Sequence, residues 1–360
     1  MAKSKRLVSL DVLRGLTIML MVTVNSPGSW EHIYPQLSHS VWNGLTLTDM
    51  VFPCFLFIMG ITTCISMKKT AFKFTKEVFY KIVKRTIVLF MIGLLLNWLA
   101  AGMPSLSNLR IMGVLQRFAL CYLIVSVLAL SVPHRVFVPL IVTILFFYAA
   151  MLSILKGYAM DGSSVLAVVD QRVLGLSHMY VDNGLDPEGI LSTLPSVAHV
   201  MIGFCVGKLV LRQSDTRDKV LSMFFFGTVM LIVGMLFSDV CPINKKVWSS
   251  TYVLVTCGYS LLCFASLAFI IDLKDISNGN TFFLVFGVNP LFCYVLGELV
   301  DIGLYSIKLP GGTLQECYYS LWASMVGDNQ LASFCFAVTV VALVGFVAWV
   351  LYKRHIVVKI

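Results

Sequence analysis

The stretch Arg6-Leu-Val-Ser-Leu-Asp-Val-Leu-Arg-Gly-Leu-Thr-Ile-Met-Leu-Met-Val-Thr-Val-Asn25 decides the fold class of this chain. It is an apolar run of about the 20 residues that a helix needs to cross a bilayer, and it lacks the alternation of a strand. It carries Asp11 and Arg14, and no small-residue cleavage pattern follows it, which is untypical of a secretory signal peptide. We therefore predict a retained membrane-spanning helix over residues 8–26.

Further apolar runs of similar length follow at 46–67, 82–101, 111–131, 134–155, 189–211, 219–237, 250–272, 280–303 and 330–352. Only 12% of the residues are charged, whereas soluble domains carry about 25%. Backbone groups in lipid must be satisfied internally, which leaves helices for runs of this length. The sequence thus predicts an all-α, polytopic transmembrane helix bundle of about ten spans, forming one domain over 1–360, with the run at 280–303 broken by Asn289-Pro290.

The basic residues indicate the orientation of the spans. With both termini in the cytoplasm, the Lys and Arg clusters at 3–6, 68–85, 135, 208–219 and 353–359 all fall inside. The predicted outside loops are 27–45, 156–188, 238–249 and 304–329. The net charge of +9 therefore reflects membrane topology and predicts no nucleic-acid partner. Loop 156–188 mixes apolar and charged residues, which predicts a packed cap.

The ten cysteines form no CxxC pair and no His/Cys cluster with ligand spacing, so we predict no metal site. Eight lie in apolar spans and are interpreted as small buried hydrophobic residues. Cys241 and Cys317 fall in predicted outside loops, and a disulfide between them stays open.

Charged side chains inside spans cost at least about 2.5 kcal/mol each on insertion scales, so they usually face the bundle interior and serve a function. The ionisable candidates are Asp11, Arg14, Asp49, Arg117, His199, Glu298 and Asp301. Asp11 and Arg14 share a helix face, so mutual neutralisation is the alternative for that pair. Glu298 and Asp301 form either a proton site or a pair of residues reaching for the interface.

The densest polar stretch runs from Asn25 to Pro53, at the predicted outer boundary. It holds His32, His39, acidic residues and several aromatic residues. Imidazole titrates near neutral pH and acts as a general base or an acyl acceptor. Residue types alone leave two interpretations open: an outward-facing active site, or polar anchors within an aromatic belt.

Several motifs resemble the heparan-α-glucosaminide N-acetyltransferase family. They begin with Arg6-Leu-Val-Ser-Leu-Asp-Val-Leu-Arg-Gly15, followed by Val24-Asn25. The most specific part comes next, His39-Ser-Val-Trp-Asn-Gly-Leu-Thr-Leu-Thr-Asp-Met-Val-Phe-Pro53. In order along the chain, the others are Phe57-Ile-Met-Gly60, Arg110-Ile-Met-Gly-Val-Leu-Gln-Arg117, Asp186-Pro-Glu-Gly-Ile190, Val247-Trp-Ser-Ser-Thr-Tyr-Val253 and Gly287-Val-Asn-Pro290. The resemblance covers most of the chain.

This resemblance implies an all-helical enzyme that moves an acetyl group from cytosolic acetyl-CoA to an amino sugar across the membrane. It implies that His39 is the catalytic histidine, that Asn25 lies near it, and that the protein is a homodimer. Compared with lysosomal members, the chain lacks a large N-terminal extension and an extra first span. The expectation is a shorter bacterial-type relative in the inner membrane, with its active site toward the periplasm.

The other roles are predictions within this framework. The phosphates of CoA favour cations, and the candidates are Arg14, Lys81, Lys84, Arg85, Arg110 and Arg117. The expected acceptor is an amino sugar or a glycan, and the candidate contacts are Trp30, Trp42, Asp49, Asp186, Glu188 and Asp301. His39 either removes a proton during direct attack, which we favour, or carries the acetyl group itself.

Competing functions remain at this stage. A transporter of N-acetylglucosamine would use the broken helix at Asn289-Pro290, and an O-acetyltransferase would modify an envelope glycan. A non-catalytic receptor or scaffold is a third alternative. The acyltransferase interpretation is preferred because no inverted repeat is visible and because a transporter does not require His39.

Overall fold

The computed structural model describes residues 7–358, whose regular structure is helical except for one short hairpin. The long helices are α1 (Val8–Asn25), α2 (Leu47–Lys68), α3 (Lys76–Ala100), α4 (Val114–Ser131), α5 (Phe137–Ile154), α7 (Thr193–Arg212), α8 (Thr216–Leu236), α9 (Ser250–Leu267) and α13 (Asn329–Lys353). A π-helical turn, Ala268–Leu273, continues α9. Within 7–358, nine helices are long and apolar enough to span a membrane.

A tenth span is formed by two shorter helices, α10 (Asn280–Val288) and α11 (Pro290–Ser306), which meet at an angle of 81°. The break lies at Asn289-Pro290, as predicted, because proline has no N–H to continue the helix. At the bend, the Asn289 side chain makes two hydrogen bonds to the segment that follows α13. Its Nδ2 donates to the Ile356 carbonyl at 2.9 Å, and its Oδ1 accepts from the Val358 N–H at 2.8 Å.

The predicted spans each coincide with one of these helices or with the bent pair, and the differences are at the ends. α3 begins at Lys76, earlier than predicted, because the Thr75 side chain caps it by accepting from the Val78 N–H. α4 begins only at Val114, because the preceding segment is extended. There the Asn97 side chain donates to the carbonyls of Arg110 and Met112.

The predicted outside loops contain short elements that are below the length of a span. These are α6 (Val165–Val173), β1 (Lys308–Leu309), β2 (Gly312–Thr313) and α12 (Leu314–Val326). β1 and β2 pair antiparallel. α12 begins with a capping box formed by Thr313 and Glu316.

The chain contacts divide into two compact units. The first unit comprises the described residues up to Ser40, Thr46–Phe52 and those from Cys263 onward. In it, α1 packs against α10, α11 and α13. Gly15 permits the approach of α10, since a Cβ there would lie 1.9 Å from the Phe283 carbonyl oxygen.

The second unit comprises Val41–Leu45 and Pro53–Leu262. In it, α4 packs against α3 and α7, and α7 also packs against α5 and α8. The backbones of α2 and α7 touch, because a Cβ on Gly203 would lie 2.2 Å from the Phe57 carbonyl oxygen. Small residues at such crossings let transmembrane helices gain van der Waals contact.

Loop contacts inside the second unit follow the predicted alternation of the spans. The Gly44 N–H donates to the Ile243 carbonyl at 2.8 Å, which joins two predicted outside loops. Lys208 lies 3.0 Å from His134, which joins two predicted inside segments. Segments assigned to the same side therefore meet one another within this unit.

Loop 156–188 is a packed cap, as predicted. Leu166, Ala167 and Leu185 are buried in one cluster with Tyr148 and Val247. None of the ten cysteines, all of which lie within residues 7–358, forms a disulfide. The Cys241–Cys317 disulfide left open by the sequence is therefore absent, and Cys241 instead lies 3.1 Å from the Tyr158 hydroxyl.

Candidate functional site

His39 lies in the loop before α2 and is held by a buried carboxylate. Its Nδ1 lies 2.8 Å from Oδ1 of Asp49. The His39 side chain is 49% exposed, whereas that of Asp49 is fully buried. Because a carboxylate oxygen accepts, Nδ1 is the donor, and Nε2 becomes the basic nitrogen of the neutral ring.

Local hydrogen bonds fix the Asp49 carboxylate. Its Oδ2 accepts from the backbone N–H of Ser40 at 3.0 Å and of Thr46 at 3.2 Å, and from the Thr46 hydroxyl at 3.0 Å. Asp49 stands in the first turn of α2, where the helix dipole favours a negative charge. The sequence assigned Asp49 to sugar binding, but the geometry makes it the partner that orients His39.

Asn25 ends α1 and contacts α11. Its Nδ2 donates to Glu298 Oε1 at 2.9 Å, and the neighbouring Ser26 hydroxyl donates to Asp301 Oδ2 at 2.6 Å. The two carboxyl groups thus contact the end of α1. Glu298, for which the sequence left a proton site and an interface role open, accepts the hydrogen bond from the Asn25 amide.

The two candidate tryptophans have different surroundings. Trp30 is 60% exposed, and its Nε1 donates to the Tyr305 hydroxyl at 3.0 Å. Trp42 is partly buried against the cluster that contains Tyr148 and Leu166. Trp30 therefore presents an indole face to the exterior of its unit, whereas Trp42 serves packing.

Arg110 is bound to the two acidic residues that the sequence assigned to the sugar. Its Nη2 donates to Asp186 Oδ1 at 3.0 Å and to Glu188 Oε2 at 2.7 Å. Burial opposes the charge of Arg110, but the two carboxylates outweigh it and raise the pKa of Arg110. Burial likewise opposes the charge of Glu188, yet Arg110 and Arg117 lower the pKa of Glu188. The motif arginine and the motif acids thus pair with one another.

Arg117 is fully buried and holds the turn that follows Asp186. Its Nη2 donates to the carbonyls of Pro187 and Gly189 at 3.0 and 3.2 Å, and to the Ser192 hydroxyl. The guanidinium lies over the Trp248 ring, 4.8 Å from its centroid. Three resemblance motifs therefore converge on this turn within the second unit.

Asp170 of α6 is buried against the same turn. Its Oδ1 accepts from the Ile190 N–H at 2.8 Å. Its Oδ2 has no hydrogen-bond partner among the described residues. Burial raises the pKa of Asp170 to about 6.

The other predicted CoA-binding cations are described by their own contacts and exposure. Arg14 donates to Asp11 at 2.8 Å and to the Gly287 carbonyl at 2.6 Å, so the Asp11–Arg14 pair neutralises itself. Lys81, Lys84 and Arg85 are exposed on α3. Arg85 also lies over the Tyr122 ring.

Sequence comparison identifies relatives. Residues 6–237 match the family model described as heparan-alpha-glucosaminide N-acetyltransferase, catalytic. The chain is 28% identical to the mouse heparan-alpha-glucosaminide N-acetyltransferase over 83% of its own length and 54% of the mouse protein. It is 27% identical to the human protein of the same name, over 82% of the chain and 53% of that protein. The chain thus spans about half the length of these curated relatives.

Proposed function

Because the chain belongs to the heparan-alpha-glucosaminide N-acetyltransferase catalytic family, we propose that it transfers acetyl from acetyl-CoA to the amine of a glucosamine-type sugar. The family match supports a membrane N-acetyltransferase. The observation that carries the proposal is the half-exposed His39 on the buried, fully bonded Asp49. A histidine whose Nδ1 is fixed by a carboxylate is oriented for proton transfer at Nε2.

The proposed reaction is a direct attack. Nε2 of neutral His39 takes a proton from the acceptor amine as its nitrogen bonds to the thioester carbonyl carbon. The carbon–sulfur bond then breaks, and the CoA thiolate receives the proton from the His39 imidazolium. Asp49 stabilises the imidazolium that forms in this step.

Asn25 is the proposed donor to the developing oxyanion. Its amide has two N–H groups, and one of them donates to Glu298. A donor aimed at developing negative charge is worth roughly 10²–10³ in rate in other acyl-transfer enzymes. The exposed indole of Trp30 suits the apolar face of a sugar ring, with Asp301 nearby on α11 as a polar contact.

The setting of the reaction is also part of the proposal. The Lys and Arg distribution places the basic loops in the cytoplasm, and His39 then faces the outside, the periplasm in a bacterial inner membrane. The acetyl group would cross from the donor side to the acceptor side. The functional form would be a homodimer, as the family resemblance implies.

The test uses the full chain in detergent with radiolabelled acetyl-CoA and glucosamine. We expect labelled N-acetylglucosamine from wild type and a loss of at least roughly 10²-fold in His39→Ala. The matched control is His32→Ala, since His32 lies in the same loop but contacts the Ser29 hydroxyl instead of a carboxylate. The control variant should keep its activity.

Three results would decide against the proposal or one of its parts. If wild type acetylates no amino sugar while proteoliposomes accumulate N-acetylglucosamine, the transporter alternative holds. If a labelled acetyl group is trapped on His39 in the absence of an acceptor sugar, the direct-attack mechanism is wrong. An acetyl-histidine intermediate then replaces it. Product from a glycan hydroxyl instead of an amine would indicate O-acetylation.

A further inference from the structure

A basic cavity of about 750 Å³ lies where α7 ends, in the second unit. Cations from two helix ends line it: Lys68 from α2, and Lys208 and Arg212 from α7. Both helices end here, and the partial negative charge at each helix carboxyl end stabilises these cations. These two helices therefore offer no free backbone N–H groups to an anion in the cavity, and the Lys and Arg side chains would bind it instead.

Lys208 is held in place by two neighbours. His134 lies with Nε2 2.8 Å from the Ala129 carbonyl and Nδ1 3.0 Å from Lys208 Nζ. A neutral His134 that donates from Nε2 and accepts at Nδ1 satisfies both contacts. The Lys208 ammonium also lies 4.6 Å from the Phe72 ring centroid. Its position is therefore built by the surrounding residues.

The turn that supplies Phe72 is strained. Ala71 and Phe72 both have positive φ, at 51° and 55°, although neither is glycine. Such conformations are unfavourable for residues that carry a side chain and persist where the surroundings impose them. Here the strain brings Phe72 to the cavity wall, where its ring packs 4.7 Å from that of His134.

We infer that this cavity binds the phosphate groups of the acetyl donor's nucleotide, an inference that rests on the proposed function. The nucleotide end of CoA carries a pyrophosphate and a 3′-phosphate, and three cations around one cavity complement that charge. The volume lies within the range of small-molecule sites, about 300–1,000 Å³. All the lining segments fall on the side that the basic clusters assign to the cytoplasm.

The test measures CoA binding to the full chain in detergent by calorimetry, without acetyl transfer. We expect Lys208→Met to weaken CoA binding roughly tenfold or more, as loss of a charge-assisted contact does. Exposed Lys68 and Arg212 should each matter less, and 3′-dephospho-CoA should bind more weakly than CoA to wild type. The control is Arg217→Met, an exposed cation outside the cavity lining, whose dissociation constant should stay within twofold of wild type.

Acetyl-pantetheine, a donor without the nucleotide, separates this inference from the proposed function. Lys208→Met should use it as well as wild type does, and Lys208→Arg should retain most of the affinity for CoA. If wild type acetylates glucosamine but Lys208→Met binds CoA unchanged, the cavity assignment is wrong and the proposed function stands. If CoA binding depends on Lys208 but no amine is ever acetylated, the cavity stands and the proposed function falls.

Anionic lipid headgroups carry the same phosphate chemistry. Nanodiscs with and without phosphatidylglycerol separate the two sources. If phosphatidylglycerol raises the melting temperature of wild type but not of Lys208→Met, while CoA neither binds nor competes, the site belongs to lipid and the inference is overturned. Competition by CoA at unchanged lipid content supports the nucleotide.

Discussion

The His39 region and the Arg110–Arg117 region use buried charge in opposite ways. Around His39, a buried carboxylate with several donors holds a ring that is half exposed. Around Arg117, the guanidinium is buried and donates to the turn after Asp186. In the first region the polar contacts hold a half-exposed imidazole, and in the second they hold the backbone of a buried turn.

The comparison teaches how to separate function from architecture among polar residues in a membrane protein. Both regions carry motifs shared with the family, and both contain charges that are costly in an apolar environment. The presence of charge therefore does not identify the active site. The informative observation is whether the arrangement leaves an exposed group that can react. Four experiments test the contrast, beginning with the largest expected effect.

Arg117→Met should be the most destabilising change. It removes the donor to the Pro187 and Gly189 carbonyls and leaves Glu188 with less compensation. Losing one member of a buried charged network costs about 3–5 kcal/mol. Thermal unfolding in detergent should show a large drop in melting temperature. Lys84→Met, an exposed cation on α3, is the control and should leave it unchanged.

The structural interpretation of the Arg117 region is wrong if Arg117→Met keeps the melting temperature of wild type and loses only CoA binding. Arg117 would then belong to the donor site, as the sequence suggested.

Asp49→Asn should impair catalysis with less effect on the fold. An amide that keeps its oxygen toward Ser40 and Thr46 turns its NH₂ toward His39, which reverses the tautomer of the ring. We expect kcat to fall about 10²-fold or more, equivalent to about 2.7 kcal/mol. Asp182→Asn, at a partly exposed pair with Lys246, serves as the matched control. Equal kcat in Asp49→Asn and wild type would remove Asp49 from the mechanism.

Asp170→Asn should change the pH dependence of stability. Burial raises the pKa of Asp170 to about 6 in the folded protein, above its usual 3.8. The folded state therefore holds the proton more tightly, so ionisation destabilises it as pH rises from about 4 to about 6. The penalty, on the order of 3 kcal/mol, is complete about one pH unit above 6 and absent about one unit below 4.

The measurement is the melting temperature of both proteins from pH 4 to pH 8. Relative to wild type, Asp170→Asn should gain stability on the alkaline side of this range and not on the acidic side. A difference that stays constant with pH would show that Asp170 is not the titrating group.

Trp30→Ala and Trp42→Ala should distinguish ligand binding from packing, with smaller effects than the changes above. Trp30 is exposed, so its loss should raise KM for the sugar about three- to tenfold and spare the melting temperature. Trp42 packs against a buried cluster, so its loss should lower the melting temperature instead. Steady-state kinetics with glucosamine and thermal unfolding distinguish the two outcomes, and exchanged outcomes would reverse the assignment.

The fold was predictable because lipid restricts the alternatives. Apolar length located the spans, and proline chemistry located the break at Asn289-Pro290. Ends such as Lys76 and Val114 were less accurate, because they depend on the Thr75 cap and on the contacts of Asn97. Short elements such as α6 and α12 lie below the length that hydropathy detects.

The site was predictable only in part. Residue types marked His39 and Asn25 as candidates, but nothing in the spacing of ten residues revealed that Asp49 binds the His39 ring. The pairing of Arg110 with Asp186 and Glu188 joins residues more than 70 positions apart. Such pairings depend on tertiary packing. The sequence analysis therefore assigned Arg110 to CoA and the two acids to the sugar, although these side chains bind one another. Lys208 appeared only as one of many basic residues near a span end.

The hydrogen bonds between Asn289 and the segment 356–358 have a practical consequence for producing this protein. The Asn289 side chain binds both a carbonyl and an N–H of that segment, so the segment supports the bend between α10 and α11. An affinity tag or fluorescent protein fused close to this segment would disturb these two hydrogen bonds. A flexible Gly/Ser spacer of about ten residues, with an r.m.s. reach of roughly 16–19 Å, would keep the fused protein away from these hydrogen bonds. Handles for purification or imaging belong beyond such a spacer, or in an exposed loop away from this bend.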